Sequence, residues 1–196
     1  MIGIIEYGAG NLFSLSCALD RLKIQYGFIQ KESQMEVYDR YIIPGVGHAG
    51  VAMDKLKASG MIDPILKTHK PVLGICVGMQ LLSQYSEEGD SKMLNLFPMD
   101  TRRFSSDKSI KIPHMGWNKV FQTREDPLFH GIDQNAYFYF VHSYFMELNP
   151  KFAIGLTEYG DSFSSSIQSS NFWGVQFHPE KSGNDGEKLL KNFTEI

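Results

Sequence analysis

Apolar and polar residues change their spacing several times along the first half of the chain. Continuous apolar runs predict β-strands at 1–6, 26–29, 38–43 and 72–75. Between them, apolar residues recur every three or four positions and predict helices at 12–22, 51–59, 62–68 and 79–85. Strands that alternate with helices are typical of an α/β protein, in which helices flank a mostly parallel central sheet.

From about Phe97 onward, the length and residue types of the apolar segments change. Short aromatic and β-branched segments predict further strands at 120–121, 136–142, 152–158 and 164–168, some of them antiparallel. The serine-rich stretch 161–170 is interpreted as strands joined by a turn, and 187–193 as a final helix. No linker or repeat divides the sequence, so we expect a single domain over residues 1–196.

The composition of the chain argues against several functional classes. The net charge is −3 without a basic cluster, which gives a nucleic-acid partner little support. No apolar run approaches the ~20 residues of a membrane span, and the first residues read as a strand rather than a signal peptide. Two cysteines, Cys17 and Cys76, suit a reducing cytoplasm rather than a disulfide framework. We therefore expect a cytoplasmic protein with no membrane partner.

The sequence predicts neither a metal nor an organic cofactor. No histidines and cysteines occur at metal-ligand spacing. Gly8 and Gly10 follow the first strand like the opening of a dinucleotide-binding loop, but Phe13 stands where that motif needs a third glycine. A tight turn into a helix explains the two glycines better.

The segment Gly74-Ile75-Cys76-Val77-Gly78 lies at a predicted strand-to-helix junction. Small residues on both sides of a cysteine are typical of a nucleophile elbow, whose sharp turn exposes the sulfur. A helix beginning just behind it would stabilise the reactive thiolate. By itself the motif also fits a buried cysteine at a glycine-containing strand end.

A second segment, His178-Pro179-Glu180, follows the predicted strand 172–177. Pro179 keeps His178 extended, so the imidazole and the Glu180 carboxylate can lie on one side. The carboxylate would then orient the ring while its other nitrogen faces the sulfur. Such a tripeptide alone is more often a surface loop, but together with the elbow it favours nucleophilic catalysis.

A third segment, Pro44-Gly45-Val46-Gly47, ends an apolar strand. Acyl transfer through a thioester needs two N–H donors near the developing oxyanion. We expect one from Val77, directly after the nucleophile, and the other from Gly45 or Val46, whose backbone the glycines leave free. Without the elbow, an ordinary strand-to-loop turn would explain this segment equally well.

These three segments together resemble the class I (triad) glutamine amidotransferases. Further segments, at 4–12, 113–118 (Pro-His-Met-Gly-Trp-Asn) and 140–144, resemble the glutaminase subunits of imidazole glycerol phosphate synthases. The resemblance extends from the first residues to Ser182 or beyond. It implies the single-domain amidotransferase fold, with Cys76, His178 and Glu180 as the catalytic triad that hydrolyses L-glutamine.

The resemblance also implies binding residues. Gln80, Glu88, Ser143 and Tyr144 would hold the amino-acid end of glutamine, although Gln80 also fits an exposed helix position and Glu88 a solvated loop. The partner would be a (β/α)8-barrel cyclase subunit that uses the ammonia to form imidazole glycerol phosphate and aminoimidazole carboxamide ribonucleotide. The interface residues implied by the resemblance, which also fit core aromatics or surface positions, are Trp117, Asn118, Tyr139 and Lys181.

Three alternatives remain open at the level of sequence. A paralogous subunit could deliver ammonia to another cyclase-like enzyme, for example in amidino-sugar synthesis. A non-catalytic subunit could use the same fold only for docking, although the complete triad argues against this. A cysteine peptidase would share the fold but leaves the segment 113–118 unexplained.

Overall fold

The computed structural model describes residues 1–105 and 110–196. Its strands are β1 (Ile2–Ile5), β2 (Tyr26–Ile29), β3 (Arg40–Ile43), β4 (Val72–Ile75), β5 (Tyr85–Ser86), β6 (Ser91–Lys92), β7 (Asp100–Arg103), β8 (His114–Lys119), β9 (Phe121–Gln122), β10 (Tyr137–His142), β11 (Tyr144–Met146), β12 (Ala153–Tyr159), β13 (Asp161–Ser169) and β14 (Phe172–Val175). Its α-helices are α1 (Leu12–Arg21), α2 (Ala49–Ala58), α3 (Ile62–Lys67), α4 (Val77–Gln80) and α5 (Gly183–Phe193). Short 3-10 helices form at Glu32–Val37, Pro127–Phe129 and Pro179–Lys181.

An eight-stranded sheet runs through the molecule in the order β2-β1-β3-β4-β14-β13-β12-β9. The first five strands are parallel, and the last three continue the sheet in antiparallel fashion. The prediction of an α/β fold with a mostly parallel central sheet and flanking helices is therefore confirmed.

The core lies on both faces of the parallel strands. Every residue of β1, β4 and β14 is buried, as expected for strands that helices cover on both sides. Helix α1 contributes Leu15, Ala18 and Leu19 to this core, which explains its helical apolar spacing.

Two smaller sheets complete the second half of the chain. Strands β8 and β10 pair in antiparallel fashion, and β11-β7-β5-β6 form a four-stranded sheet. Strand β13 corrects the interpretation of 161–170, because it is one nine-residue strand rather than two joined by a turn. Its serines at 164, 165 and 166 are buried between β12 and β14, so their polarity did not mark a loop.

The helix predicted at 79–85 is also wrong in its extent. Helix α4 has four residues and ends at Gln80. Backbone N–H groups of Leu94 and Phe97 donate to the carbonyls of Leu81 and Leu82, at 2.9 and 3.0 Å. These long-range bonds replace the next helical turn. The final helix begins at Gly183, four residues before the predicted start at 187.

Within residues 1–105 and 110–196, none of the helices combines the length and the apolar character needed to cross a bilayer.

Candidate active site

Three adjacent parallel strands end at one edge of the central sheet. Strand β3 leads into Pro44, and β4 leads into Cys76. Strand β14 leads into Gln176, and His178 follows two residues later. Carboxyl ends of parallel strands are where open α/β sheets place their functional groups. The strand order therefore brings together three segments that are far apart in the sequence.

The turn at Cys76 has the strained geometry of a nucleophile elbow. Cys76 has φ 54° and ψ −112°, a conformation that non-glycine residues rarely adopt. Its N–H donates to the Val175 carbonyl at 2.8 Å, which fixes it to β14. A Cβ built on Gly78 would overlap the carbonyl oxygen of Ile43, and one on Gly74 would meet the Gly78 backbone. Only glycine fits at these positions.

Helix α4 begins directly after the cysteine but is one turn long. The macrodipole of so short a helix is small, so the predicted stabilisation of the thiolate by a helix N-terminus is weak here.

His178 and Glu180 form a buried ion-pairing unit. His178 Nδ1 lies 2.7 Å from Glu180 Oε1, and the two side chains are 2% and 4% exposed. Burial lowers the pKa of His178, but the charge of the Cys76 thiolate and the bond to Glu180 outweigh it and raise the pKa to about 10. His178 Nε2, on the other side of the ring, has no hydrogen-bond partner in the described part of the chain.

The loop that carries His178 is attached to strand β10. The N–H of His178 donates to the Tyr139 carbonyl at 2.9 Å. The Ser182 hydroxyl donates to the His178 carbonyl at 2.6 Å and accepts from the Tyr139 N–H at 3.0 Å. These three bonds fix the position of His178 relative to β10 at Tyr139.

Cys76 and His178 line a pocket of about 320 Å³. Six further predicted site residues line the same pocket: Val46, Val77, Gln80, Glu88, Ser143 and Tyr144. Its volume suits a small ligand. The Glu88 carboxylate also accepts from the Ala49 N–H at 2.6 Å, so it is fixed at the start of α2 rather than free in a solvated loop.

The segment predicted to supply the second oxyanion donor lies directly beside the elbow. Gly45 packs so closely on the backbone of Val77 and Gly78 that a Cβ would overlap both. The Tyr7 hydroxyl donates to the Pro44 carbonyl at 2.7 Å and holds the preceding peptide. Tyr7 is buried, and burial together with the Cys76 charge raises its pKa.

The structure adds residues that the sequence analysis did not select. Pro113, Val141 and His142 also line the pocket. Gln176, two residues before His178, donates to Cys76 Sγ at 3.6 Å. Side chains two residues apart in an extended segment lie on the same face. The spacing between positions 176 and 178 could therefore have placed Gln176 on the same side as His178.

The predicted interface residues divide into two groups. Trp117 is 55% exposed, and its ring centroid lies 6.2 Å from that of Tyr139 on the paired strand. The Trp117 ring also lies over Gly183, two residues after the exposed Lys181. Asn118 is on the opposite face of β8, where its amide reaches His114 Nε2 at 3.3 Å and the Glu158 carbonyl at 3.0 Å.

In the portion of the chain that the structure describes, no group of three or more His, Cys, Asp or Glu residues could hold a metal ion.

Comparison with known proteins identifies the family of the chain. A family model described as glutamine amidotransferase class-I matches residues 4–196. The chain belongs to the class I glutamine amidotransferase family. This amidotransferase is 45% identical over 194 residues to imidazole glycerol phosphate synthase subunit HisH from Haemophilus influenzae, covering 99% of this chain and 96% of that protein. It is 40% identical over 196 residues to the subunit of the same name from Bacteroides thetaiotaomicron, covering 100% and 99%.

Solved structures resemble the amidotransferase in fold. A crystal structure of a glutamine amidotransferase has a TM-score of 0.74 at 17% identity, covering 99% of this chain and 97% of that one. The structure of PurLQS from Thermotoga maritima has a TM-score of 0.72 at 16% identity, with coverage of 99% and 97%. At these identities the likeness supports the fold alone.

Proposed function

We propose that this amidotransferase hydrolyses L-glutamine to glutamate and ammonia and passes the ammonia to a cyclase subunit of imidazole glycerol phosphate synthase, in histidine biosynthesis. The names of the HisH relatives, which match almost the whole chain, support this assignment. The observation that carries the chemistry is the meeting of Cys76, His178 and Glu180 at adjacent strand ends. The reaction takes place in the cytoplasm.

The first half-reaction forms a thioester. The Cys76 thiolate attacks the side-chain carboxamide carbon of glutamine, and the N–H groups of Val77 and of Gly45 or Val46 stabilise the oxyanion. Protonated His178 then donates a proton from Nε2 to the leaving nitrogen, and ammonia departs as the C–N bond breaks. The raised pKa of His178 supports this role, because the ring is cationic at neutral pH.

The second half-reaction regenerates the enzyme. His178, now neutral, removes a proton from water, which attacks the thioester carbon. The C–S bond breaks, glutamate leaves, and the electron pair returns to Cys76. Throughout, Glu180 orients the ring through Nδ1 and stabilises its cationic form.

Recognition of glutamine is assigned to the pocket wall. The Glu88 carboxylate suits the α-ammonium group, and its attachment to Ala49 fixes its position. Gln80 has a buried Oε1 atom without a partner among the described residues, so it has one acceptor available for a ligand. Ser143 and Tyr144 also line the pocket.

The partner surface is assigned to the exposed ends of β8 and β10 and the triad loop. Ammonia that escaped into water would be protonated and lost, so the site must open toward the acceptor. The face formed by Trp117, Tyr139 and Lys181 lies beside the triad loop, to which β10 is hydrogen-bonded. A (β/α)8-barrel cyclase subunit bound there would contact the histidine-bearing loop directly. Asn118 would contact the same cyclase subunit from the opposite face of β8.

A glutaminase assay tests the chemistry. Glutamate release is measured for the purified chain with and without the cyclase subunit and its nucleotide. Wild type should be active in the complex and produce imidazole glycerol phosphate, whereas Cys76→Ser should lose glutamate release. Cys17→Ser, the matched control at the only other cysteine, should behave as wild type. Glutaminase activity that survives Cys76→Ser would refute the triad assignment.

A binding titration tests the partner surface. Trp117→Ala should weaken the complex by ~2 kcal/mol, or roughly 30-fold in Kd, because buried tryptophans dominate interfaces. Phe28→Ala is the control, since Phe28 is also exposed (40%) but lies on the distant edge strand β2. Equal losses in the two variants would exclude this surface.

A further inference from the structure

The carboxamide of Gln176 lies between the nucleophile and a residue of the glutamine pocket. Gln176 is fully buried. Its Nε2 lies 3.6 Å from Cys76 Sγ, and its Oε1 accepts from Gln80 Nε2 at 2.9 Å. The parallel register, with Val175 beside Ile75, places residue 176 next to residue 76 at the ends of β14 and β4.

The hydrogen-bond network determines which end of this carboxamide faces the sulfur. The backbone carbonyl of Tyr144 can only accept, so the Gln80 group 2.9 Å away must be its amide nitrogen. The same nitrogen lies beside the Gln176 side chain, which must therefore present its oxygen there. The Gln176 nitrogen is left to face Cys76 as a donor. His142 Nδ1 also donates to the Tyr144 carbonyl at 2.8 Å and keeps this anchor in place.

We propose that Gln176 is a further catalytic residue, whose carboxamide N–H donates to the Cys76 sulfur and stabilises it while it carries negative charge. Two steps benefit. Before attack, the N–H stabilises the free thiolate, and during hydrolysis it stabilises the sulfur as the C–S electron pair returns to it. A hydrogen bond to an ionised acceptor is stronger than one to a neutral thiol.

The donor from Gln176 takes the place of a helix dipole, which this fold supplies only weakly at Cys76. The helix after the elbow has only four residues, so its dipole contributes little to a charged sulfur. The His178 cation provides charge but moves its proton during the reaction. Gln176 provides a donor that cannot ionise and whose orientation is fixed through Gln80 from a backbone carbonyl. The inference depends on Cys76 being the nucleophile of the proposed function.

The test uses alkylation of Cys76 by iodoacetamide, because alkylation needs the anionic sulfur but neither glutamine nor the oxyanion hole. The full chain is compared as wild type, Gln176→Met and Gln176→Asn. Methionine keeps the side-chain length and removes the donor, whereas asparagine keeps the amide but withdraws it by one methylene. Cys17→Ser removes the competing thiol from every sample.

Both variants should be alkylated about tenfold more slowly than wild type at pH 7. In the complex with the cyclase subunit, kcat for glutamine should fall while KM changes little. Alkylation at the wild-type rate at pH 7 in either folded variant would overturn the proposal.

Failure of this inference is distinguishable from failure of the proposed function. If Cys76→Ser abolishes glutaminase activity but Gln176→Met is alkylated normally, only the role of Gln176 is refuted. If wild type in the complex releases no glutamate, the proposed function itself fails.

Discussion

Lowering the pH from 7 to 5 should destabilise the fold through two buried histidines beside the glutamine pocket. His142 and His114 are 6% and 3% exposed, and His114 Nδ1 lies 3.0 Å from His142 Nε2. Since His142 Nδ1 must donate to the Tyr144 carbonyl, its Nε2 accepts the proton of His114. A second proton on His142 would sit on Nε2 and would point at the N–H donor of His114.

The sign and size of the effect follow from the pKa values. Burial lowers the pKa of His142 from 6.5 to about 3, and that of His114 from 6.5 to about 4. Below pH 6.5 the unfolded chain therefore binds protons that the folded chain does not, and stability falls as the pH decreases toward these values. At pH 5 His142 alone should reduce the free energy of unfolding by about 2 kcal/mol, with a contribution of at most similar size from His114.

Urea denaturation followed by circular dichroism between pH 7 and 5 measures this loss. Wild type also contains other titrating groups, so the informative quantity is the difference in pH slope from His142→Gln. That variant should lose up to ~1.4 kcal/mol per pH unit of slope between pH 6 and 5, the amount expected for one proton. His69→Gln, at an exposed position, should keep the wild-type slope. His142→Gln with an unchanged slope would refute the argument.

Three further outcomes are expected. Tyr7→Phe should reduce the free energy of unfolding in urea by ~1–2 kcal/mol, because the buried Pro44 carbonyl loses its donor. Gly78→Ala should destabilise by at least ~1–3 kcal/mol or prevent folding, because its Cβ would overlap the Ile43 carbonyl, and thermal unfolding measures this. Glu180→Gln should lower the pKa of the triad histidine, so the alkaline side of the pH profile of kcat/KM should move to lower pH.

The parallel half of the fold was predictable because its signals are local. Strand β4 is an uninterrupted apolar run, and α1 has a clear apolar face, so neither depends on distant residues. The second half was less predictable. Strand β8 (His114–Lys119) contains polar residues on both faces, and only its pairing with β10 makes it a strand. The predicted end of α4 was wrong because the carbonyls of Leu81 and Leu82 accept hydrogen bonds from a segment more than ten residues later.

The proposed triad could be read from the sequence because its residues stand in short motifs whose backbone shape is encoded locally. Gly74 and Gly78 specify the elbow, and Pro179 specifies the turn after the histidine. Gln176 and Tyr7 have no such motif. Their partners, Cys76 and Pro44, lie 100 and 37 residues away, and the pairs form only when the strands are in register.

Register also connects the stability of the core to the activity of the site. Gly174 lies beside Gly74 in parallel β14 and β4, and both strands are buried on both faces. A shift of one residue would turn Gln176 and His178 away from the sulfur, because successive side chains point to opposite faces. The same shift would move the glycines out of their close contacts with Met79 and with the elbow backbone. The packing that excludes a slipped register is therefore also what keeps the His178 imidazole and the Gln176 carboxamide beside Cys76.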